Sequence, residues 1–113
     1  MHELGLLCGI VDQVLEVVQE EEVSEVKAIV LEVGAMSLVV PEYLKRCYPI
    51  AASGTLLENA ELRIEELPAA GRCHGCETVF DVVKHRGICP ECFGKDLELL
   101  GGREFNIKEI VVV

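Results

Sequence analysis

Two pairs of cysteines constrain the fold of this chain more strongly than any other feature. Cys73 with Cys76, and Cys89 with Cys92, each have the spacing Cys-x-x-Cys, and twelve residues separate the two pairs. A tight turn can direct both thiolates of a pair to one point, and the intervening segment is long enough to bring the second pair onto the first. Four sulfur ligands leave no position open for water or substrate. The sequence therefore predicts a closed, structural zinc site.

Other interpretations of the cysteines and nearby histidines are weaker. Tetrahedral sulfur also suits iron in a rubredoxin-like electron carrier, but the chain has no tryptophan and few aromatic residues to shield a redox centre. A redox dithiol is disfavoured because neither pair opens a helix in a thioredoxin-like pattern. His74 and His85 are expected to be exposed loop residues, since four sulfurs already fill the metal shell. Cys8 and Cys47 fall on predicted helices and are expected to be small core residues.

The length and charge of the chain bound its function. With 113 residues, 50% of them hydrophobic, it can form one modest core with a small appendage and is not a disordered chain. Twenty acidic residues oppose ten basic ones, which gives a net charge of −10. Because nucleic-acid binding depends on Lys and Arg at the phosphates, this balance argues against a nucleic-acid partner. Metal ions and basic protein surfaces are the expected partners.

The chain carries no recognisable signal for secretion, membrane insertion or catalysis. Its N-terminus lacks a basic region, and no apolar stretch is long enough to span a bilayer. Paired thiols without such signals are typical of the reducing cytoplasm, where cysteines bind metal instead of forming disulfides. No nucleophile elbow, phosphate loop or catalytic carboxylate pair stands out. We therefore expect a cytoplasmic protein that is not an enzyme and does not bind membranes.

Hydrophobic periodicity predicts two helices. Residues 4–19 carry an apolar stripe at helical spacing. Residues 41–53 begin with a proline, which suits the first turn of a helix, and end before Gly54, which suits a helix terminus. Pro49 lies inside the second helix, where it removes a hydrogen bond and clashes one turn back. A kink or break is therefore expected near Arg46.

Three strands are predicted at residues 26–33, 62–67 and 104–113. The first is apolar on both faces, as is typical of a central strand. A strand, a helix and a strand in succession imply a right-handed crossover and a parallel pair. The predicted fold class is α+β, a small mixed three-stranded sheet with two helices in the order α-β-α-β…β. A four-cysteine zinc-ribbon lobe is inserted before the last strand.

The first three residues, Met1-His2-Glu3, form a second candidate metal site. A free terminal amine, the backbone nitrogen of His2 and its imidazole can form adjoining chelate rings around one ion. Glu3 can complete the shell through its backbone nitrogen or its carboxylate. Nitrogen-rich, square-planar ligation favours Ni(II) or Cu(II). The tripeptide also fits an ordinary helix start, where Glu3 is favourable to the helix dipole and His2 has no role.

Motifs along the whole chain resemble one known family. Besides the two cysteine pairs, in the same order along the chain, they are Met1-His2-Glu3-Leu4, Val30-Leu31-Glu32-Val33-Gly34, Val39-Val40-Pro41-Glu42, Gly54-Thr55-Leu56, Ala60-Glu61-Leu62 and Gly102-Arg103-Glu104. Together they resemble the HypA/HybF hydrogenase nickel-incorporation proteins. The chain departs from that family at Glu77 and Phe93, where glycine often follows the second cysteine of each pair.

The resemblance implies a nickel metallochaperone that matures nickel–iron hydrogenase and, in some organisms, serves urease. It assigns nickel to Met1, His2 and Glu3, as transferable cargo, and structural zinc to the four paired cysteines. It also implies a GTPase of the hydrogenase maturation system and the hydrogenase large subunit as partners. The chain itself is expected to be a monomer or a weak homodimer.

These assignments divide the chain into two predicted domains. Residues 1–70 and 95–113 form a nickel-binding α/β domain, and residues 71–94 form a zinc-binding domain. The division suits a delivery protein, because an all-thiolate cage cannot readily exchange its ion while a terminal chelate can. The alternative function is a zinc-ribbon adaptor that binds another protein and carries no metal cargo.

Overall fold

The computed structural model describes residues 2–113, and within them it contains two α-helices and six β-strands. Met1 lies outside the described residues. In chain order the elements are α1 (His2–Glu20), β1 (Val26–Gly34), α2 (Pro41–Ala52), β2 (Glu61–Leu67), β3 (Ala70–Cys73), β4 (Val79–Asp81), β5 (Leu97–Gly101) and β6 (Phe105–Val112). Neither helix combines the length and apolar character that crossing a membrane requires.

The larger sheet has the strand order β2-β1-β6, so β1 is central. β2 runs parallel to β1, with Ile29 beside Leu62, and β6 runs antiparallel, with Leu31 beside Ile107. Apolar side chains of β1 are buried on both faces of the sheet, with Ala28 and Val30 on one face and Ile29 and Leu31 on the other. The predicted mixed three-stranded sheet, its central strand and its parallel pair are confirmed.

The hydrophobic core lies between this sheet and the two helices. The helical stripe of α1 buries five residues, Leu7, Ile10, Val11, Val14 and Val18, at the spacing of one helical face. Cys47 of α2 lies in the same core and is 3% exposed, as predicted. Cys8 is exposed, so its predicted core position is wrong. The position after Leu7 turns by about 100° around α1 and leaves the buried stripe.

α2 continues through Pro49, so the expected break near Arg46 is absent. Pro49 lies in the last turn of α2, where few backbone hydrogen bonds of the helix remain to be disrupted. Two side-chain hydrogen bonds stabilise this end of the helix. The buried hydroxyl of Tyr48 donates to the carbonyl of Leu57 at 2.9 Å. The hydroxyl of Thr55 donates to the carbonyl of Ala52 at 2.7 Å. These two bonds tie the end of α2 to the segment that follows it.

A smaller, wholly antiparallel sheet with the order β4-β3-β5 holds the cysteine segment. Its strands are only three to five residues long, and periodicity did not predict them. β5 pairs with β3 from Leu97 to Gly101, so part of the segment 95–101, predicted for the α/β domain, contributes a strand to the small sheet. The core of this sheet is small, because only Cys73, Phe80 and Cys89 form its buried cluster.

Gly102 lies in the segment that connects the small sheet to the larger one, and its backbone is in close contact with Gly34. A Cβ on Gly102, which has a φ of 121°, would lie 2.6 Å from the Cα of Ala69. A Cβ on Gly34 would overlap the carbonyl group of Gly102. The amide of Met36 donates to the Gly102 carbonyl at 2.7 Å, which fixes the crossing. Both glycine positions are therefore dictated by the space available to the backbone.

Gly102→Ala is expected to lower the free energy of unfolding by about 2–4 kcal/mol, because a side chain at this φ is strained and meets backbone atoms that cannot move away. Denaturant unfolding of the zinc-loaded protein measures the change. Gly5→Ala in α1 is the matched control: no atom lies within 4 Å of its added Cβ, so it should gain about 0.5–1 kcal/mol from helix propensity. A Gly102→Ala protein as stable as the wild type would contradict the close contact.

Candidate metal centres

Cys73, Cys76, Cys89 and Cys92 converge on one point. Their sulfur atoms all lie within 4.8 Å of one another. The distance between the sulfurs of Cys73 and Cys92 is 3.5 Å, as is the distance between those of Cys76 and Cys89. A tetrahedral zinc ion with bonds of about 2.3 Å to sulfur needs sulfurs about 3.8 Å apart. The four-cysteine cluster therefore fits a structural zinc ion, as predicted.

The first pair of cysteines lies on a turn closed by backbone hydrogen bonds. The amide of Cys73 donates to the carbonyl of Thr78 at 2.9 Å, and the amide of Glu77 donates to the carbonyl of Cys73 at 2.8 Å. Glu77 has a φ of 62°, a left-handed conformation that favours glycine. The turn aims Cys76 outward and Cys73 inward, since Cys73 is 1% exposed and Cys76 is exposed.

The second pair repeats this construction. The amide of Cys89 donates to the carbonyl of Gly94, and the amide of Phe93 donates to the carbonyl of Cys89, both at 2.9 Å. Phe93 also has a φ of 62°, although its side chain is bulky and 75% exposed. Glu77 and Phe93 thus occupy the left-handed position of each turn, which explains why glycine suits these places. Neither departure from the family pattern separates the four sulfurs.

The thiols of the cluster do not ionise alike. Hydrogen bonds from the side chain and backbone of Thr78 lower the pKa of Cys76 to about 6. At Cys92 a backbone hydrogen bond involving Gly94 lowers the pKa, but the thiols of Cys73 and Cys76 raise it, and the net pKa is about 12. Metal-bound sulfur is thiolate, so a divalent cation at the centre would favour loss of the remaining protons. Full ionisation of the cluster therefore depends on a cation.

Neither histidine near the cysteine pairs belongs to the sulfur cluster. The Nδ1 atom of His74 lies 3.1 Å from a carboxylate oxygen of Asp96, and half of the His74 side chain is exposed. The ring of His85 meets the ring of Phe80 edge to face, with centroids 6.0 Å apart. Asp96 contacts His74, and Thr78 contacts the sulfur of Cys76. The sequence did not predict either role, because no motif spacing identifies these two residues.

The second candidate site is the first turn of α1, which lies against the start of α2. His2 is exposed and Glu3 is half-buried. A carboxylate oxygen of Glu3 accepts a hydrogen bond from the amide of Val40 at 3.4 Å, at the N-cap of α2. The described residues therefore place the exposed His2 directly before Glu3, whose carboxylate is hydrogen-bonded to the start of α2. The third predicted nickel ligand, Met1, lies outside the described residues.

Comparison with known proteins identifies the family of this chain. The family model for hydrogenase/urease nickel incorporation, metallochaperone, hypA, matches residues 1–112. The chain belongs to the HypA family. It is therefore a nickel metallochaperone of hydrogenase maturation with a four-cysteine site that fits structural zinc, and the resemblance to HypA/HybF is confirmed. Membership of this family also implies partners within the hydrogenase maturation system. The interpretation as an adaptor without metal cargo gains no support.

Individual HypA proteins match along the full chain. The hydrogenase maturation factor HypA of Geotalea daltonii is 39% identical over 113 residues, which is 100% of both chains. That of Streptomyces avermitilis is 38% identical over 112 residues, 97% of this chain and 86% of its own. The solution structure of the Ni metallochaperone HypA from Helicobacter pylori has the same fold, with a TM-score of 0.67, 17% identity and coverage of 98% of this chain and 97% of its own.

The Thr78→Val variant is expected to bind zinc more weakly at neutral pH, because it keeps the shape of the side chain and removes the hydroxyl that stabilises the Cys76 thiolate, the form that binds metal. Competition for zinc between the protein and a chromophoric chelator measures the change in affinity. Equal zinc affinities of the variant and the wild type would refute the role of Thr78.

Proposed function

We propose that the N-terminus of this HypA protein carries nickel through Met1, His2 and Glu3 and releases it for the maturation of nickel–iron hydrogenase. The main support is the contrast between the two sites. The sulfur cluster is closed and half-buried, so an ion inside it exchanges slowly. His2 is exposed in the first turn of α1, where a receiving protein can displace ligands one at a time.

The start of α1 offers backbone ligands as well. α1 begins at His2, and the first four amide groups of an α-helix have no acceptor within the helix. The backbone nitrogens of His2 and Glu3 can therefore bind nickel without breaking a helical hydrogen bond. Together with a terminal amine and an imidazole they supply the nitrogen-rich set that Ni(II) favours. The bond from Val40 to the Glu3 carboxylate steadies this turn.

The two sites suggest a division of labour between two domains. We propose a nickel-binding α/β domain, residues 1–70 and 95–113, and a zinc-binding domain around residues 71–94. The pairing of β5 with β3 favours extending the zinc-binding domain to Gly101. In this division the zinc ion maintains the shape of the small sheet and takes no part in delivery.

The proposed partners follow from the family and the charge. They are a GTPase of the hydrogenase maturation system, which works with the chaperone in nickel delivery, and the hydrogenase large subunit as recipient. The net charge of −10 suits basic protein surfaces and opposes nucleic acid. The protein acts in the cytoplasm as a monomer or weak homodimer, with no catalytic step of its own and no membrane association.

A single residue or an acetyl group placed before Met1 should abolish nickel binding, since it moves or blocks the amine that completes the chelate. Calorimetric titration with nickel measures the loss, and metal analysis should still find one zinc per chain. His2→Ala is the second variant and should remove nickel binding by deleting the imidazole, with the amine left free.

Cys8→Ser serves as the matched control, because Cys8 lies on an exposed face of the same helix and is absent from the proposed ligand set. It should bind nickel as the wild type does. If the extended protein kept full nickel affinity, the ligands would lie elsewhere in the chain and the proposed site would be wrong.

A further inference from the structure

An open groove runs between α1 and β6. It has a volume of about 520 Å³ and is lined by Gly5, Leu6 and Gly9 of α1 and by Phe105, Asn106 and Ile107 of β6, among others. Phe105 and Ile107 are only partly buried against the core. A Cβ on Gly5 or Gly9 would meet no atom within 4 Å. We call this feature the α1–β6 groove. Nothing within residues 2–113 fills it.

One wall of the α1–β6 groove leads to the proposed nickel site. Leu6 and Gly9 follow His2 by four and seven residues, and these spacings lie on one face of an α-helix. His2 is in the first turn of α1 and is exposed. Its imidazole therefore shares a face with the residues that line the groove. A molecule lying in the groove would reach the nickel site at the start of α1.

The other wall is an unpaired sheet edge. β6 is the last strand of the order β2-β1-β6, so its outer edge bonds to no strand among the described residues. The register with β1 shifts at Lys108, a bulge that interrupts the regular pairing before it resumes at Glu109. Phe105 to Ile107, the groove-lining part, lies before that shift. An extended chain can bond to this stretch and place alternate side chains in the groove.

Charge distinguishes between possible occupants. The face of α1 that lines the groove with Leu6, Gly9 and Gln13 continues at helical spacing to Glu16 and Glu20, which we call the acidic rim, and the helix has no Lys or Arg. On β6, Lys108 is engaged by Glu65 at 2.7 Å. A second copy of this chain would bring the same acidic rim and another net charge of −10, which opposes association. A partner segment that carries Lys or Arg is attracted to the same rim.

We propose that the α1–β6 groove binds an extended apolar segment of a partner protein, flanked by Lys or Arg, and brings that partner's metal ligands to His2. The docking part depends on the groove, the strand edge and the acidic rim. The metal-transfer part rests on the proposed function of the N-terminus. Docking raises the local concentration of the partner's ligands at the nickel site.

The first experiment tests docking with a defined probe. A short synthetic peptide in which valine alternates with lysine is titrated into isotope-labelled, zinc-loaded protein, and amide chemical shifts are recorded by NMR. Shifts are expected at Gly5, Gly9, Asn106 and Ile107. The same peptide with glutamate in place of lysine should bind more weakly, since the rim is acidic. Equal binding of both peptides, or shifts elsewhere on the surface, would overturn the proposal.

Gly9→Leu provides the decisive variant, because its side chain enters the groove while the helix gains propensity. It should weaken lysine-peptide binding by about tenfold or more, whereas the matched Gly9→Ala should change binding by less than about threefold. Wild-type binding by Gly9→Leu overturns the proposal. The groove would instead belong to a second copy of this chain if the same amides shifted with protein concentration in the absence of peptide and if sedimentation showed a dimer that Gly9→Leu abolishes. That result would also overturn the proposal.

Nickel transfer is tested separately from docking. Lysine peptides with a histidine at one end or the other are mixed with nickel-loaded protein, and the rate of nickel release is followed. Release should be faster from the wild type than from Gly9→Leu, although both bind nickel equally before mixing. If the native protein binds the peptide in the groove but holds no nickel, docking is supported and the proposed nickel site fails. If the wild type and Gly9→Leu both hold nickel and release it to the peptide at the same rate, the transfer part is overturned.

Discussion

Four sulfur atoms that meet at one point hold the cysteine segment together. The buried cluster of the small sheet consists of Cys73, Phe80 and Cys89, with partly buried Val82 and Leu97 packed against it. So few apolar groups cannot offset the conformational entropy of ordering this segment. Zinc binding supplies that free energy, because the ion joins two turns that are otherwise linked by short strands. Two of the four ligands thus serve both as core residues and as metal ligands.

The same closure that makes the sulfur site structural makes it unsuitable for delivery. Four thiolates around one ion leave no position through which another protein can begin to take it. The start of α1 has the opposite properties. It is exposed at His2, its first amide groups lack helical acceptors, and the Glu3 carboxylate accepts a hydrogen bond of 3.4 Å from the amide of Val40. This contrast supports the proposal that the chain keeps zinc at one site and delivers nickel from the other.

Prediction from sequence succeeded where a periodic pattern is long and failed where structure depends on distant contacts. The helix of 19 residues and the central strand of 9 carry clear apolar patterns, and the cysteine spacing alone identified the sulfur cluster. The strands β3, β4 and β5 are too short to show an alternating apolar pattern. They form because the turns that carry the cysteine pairs bring them together. The break predicted near Arg46 does not occur, because Pro49 lies in the last turn of α2 and the Tyr48 hydroxyl stabilises that end of the helix through its bond to Leu57. The contact between Glu3 and Val40 joins residues 37 apart, and no local pattern reports it.

X-ray absorption at the nickel and zinc edges of the native protein, loaded with one equivalent of each metal, tests the separation of the two sites most directly. Zinc should have four sulfur neighbours, supplied by the cysteine cluster. Nickel should have only nitrogen and oxygen neighbours. Sulfur in the nickel shell, or loss of sulfur from the zinc shell when nickel is added, would show that the metals compete for one site and would contradict the account.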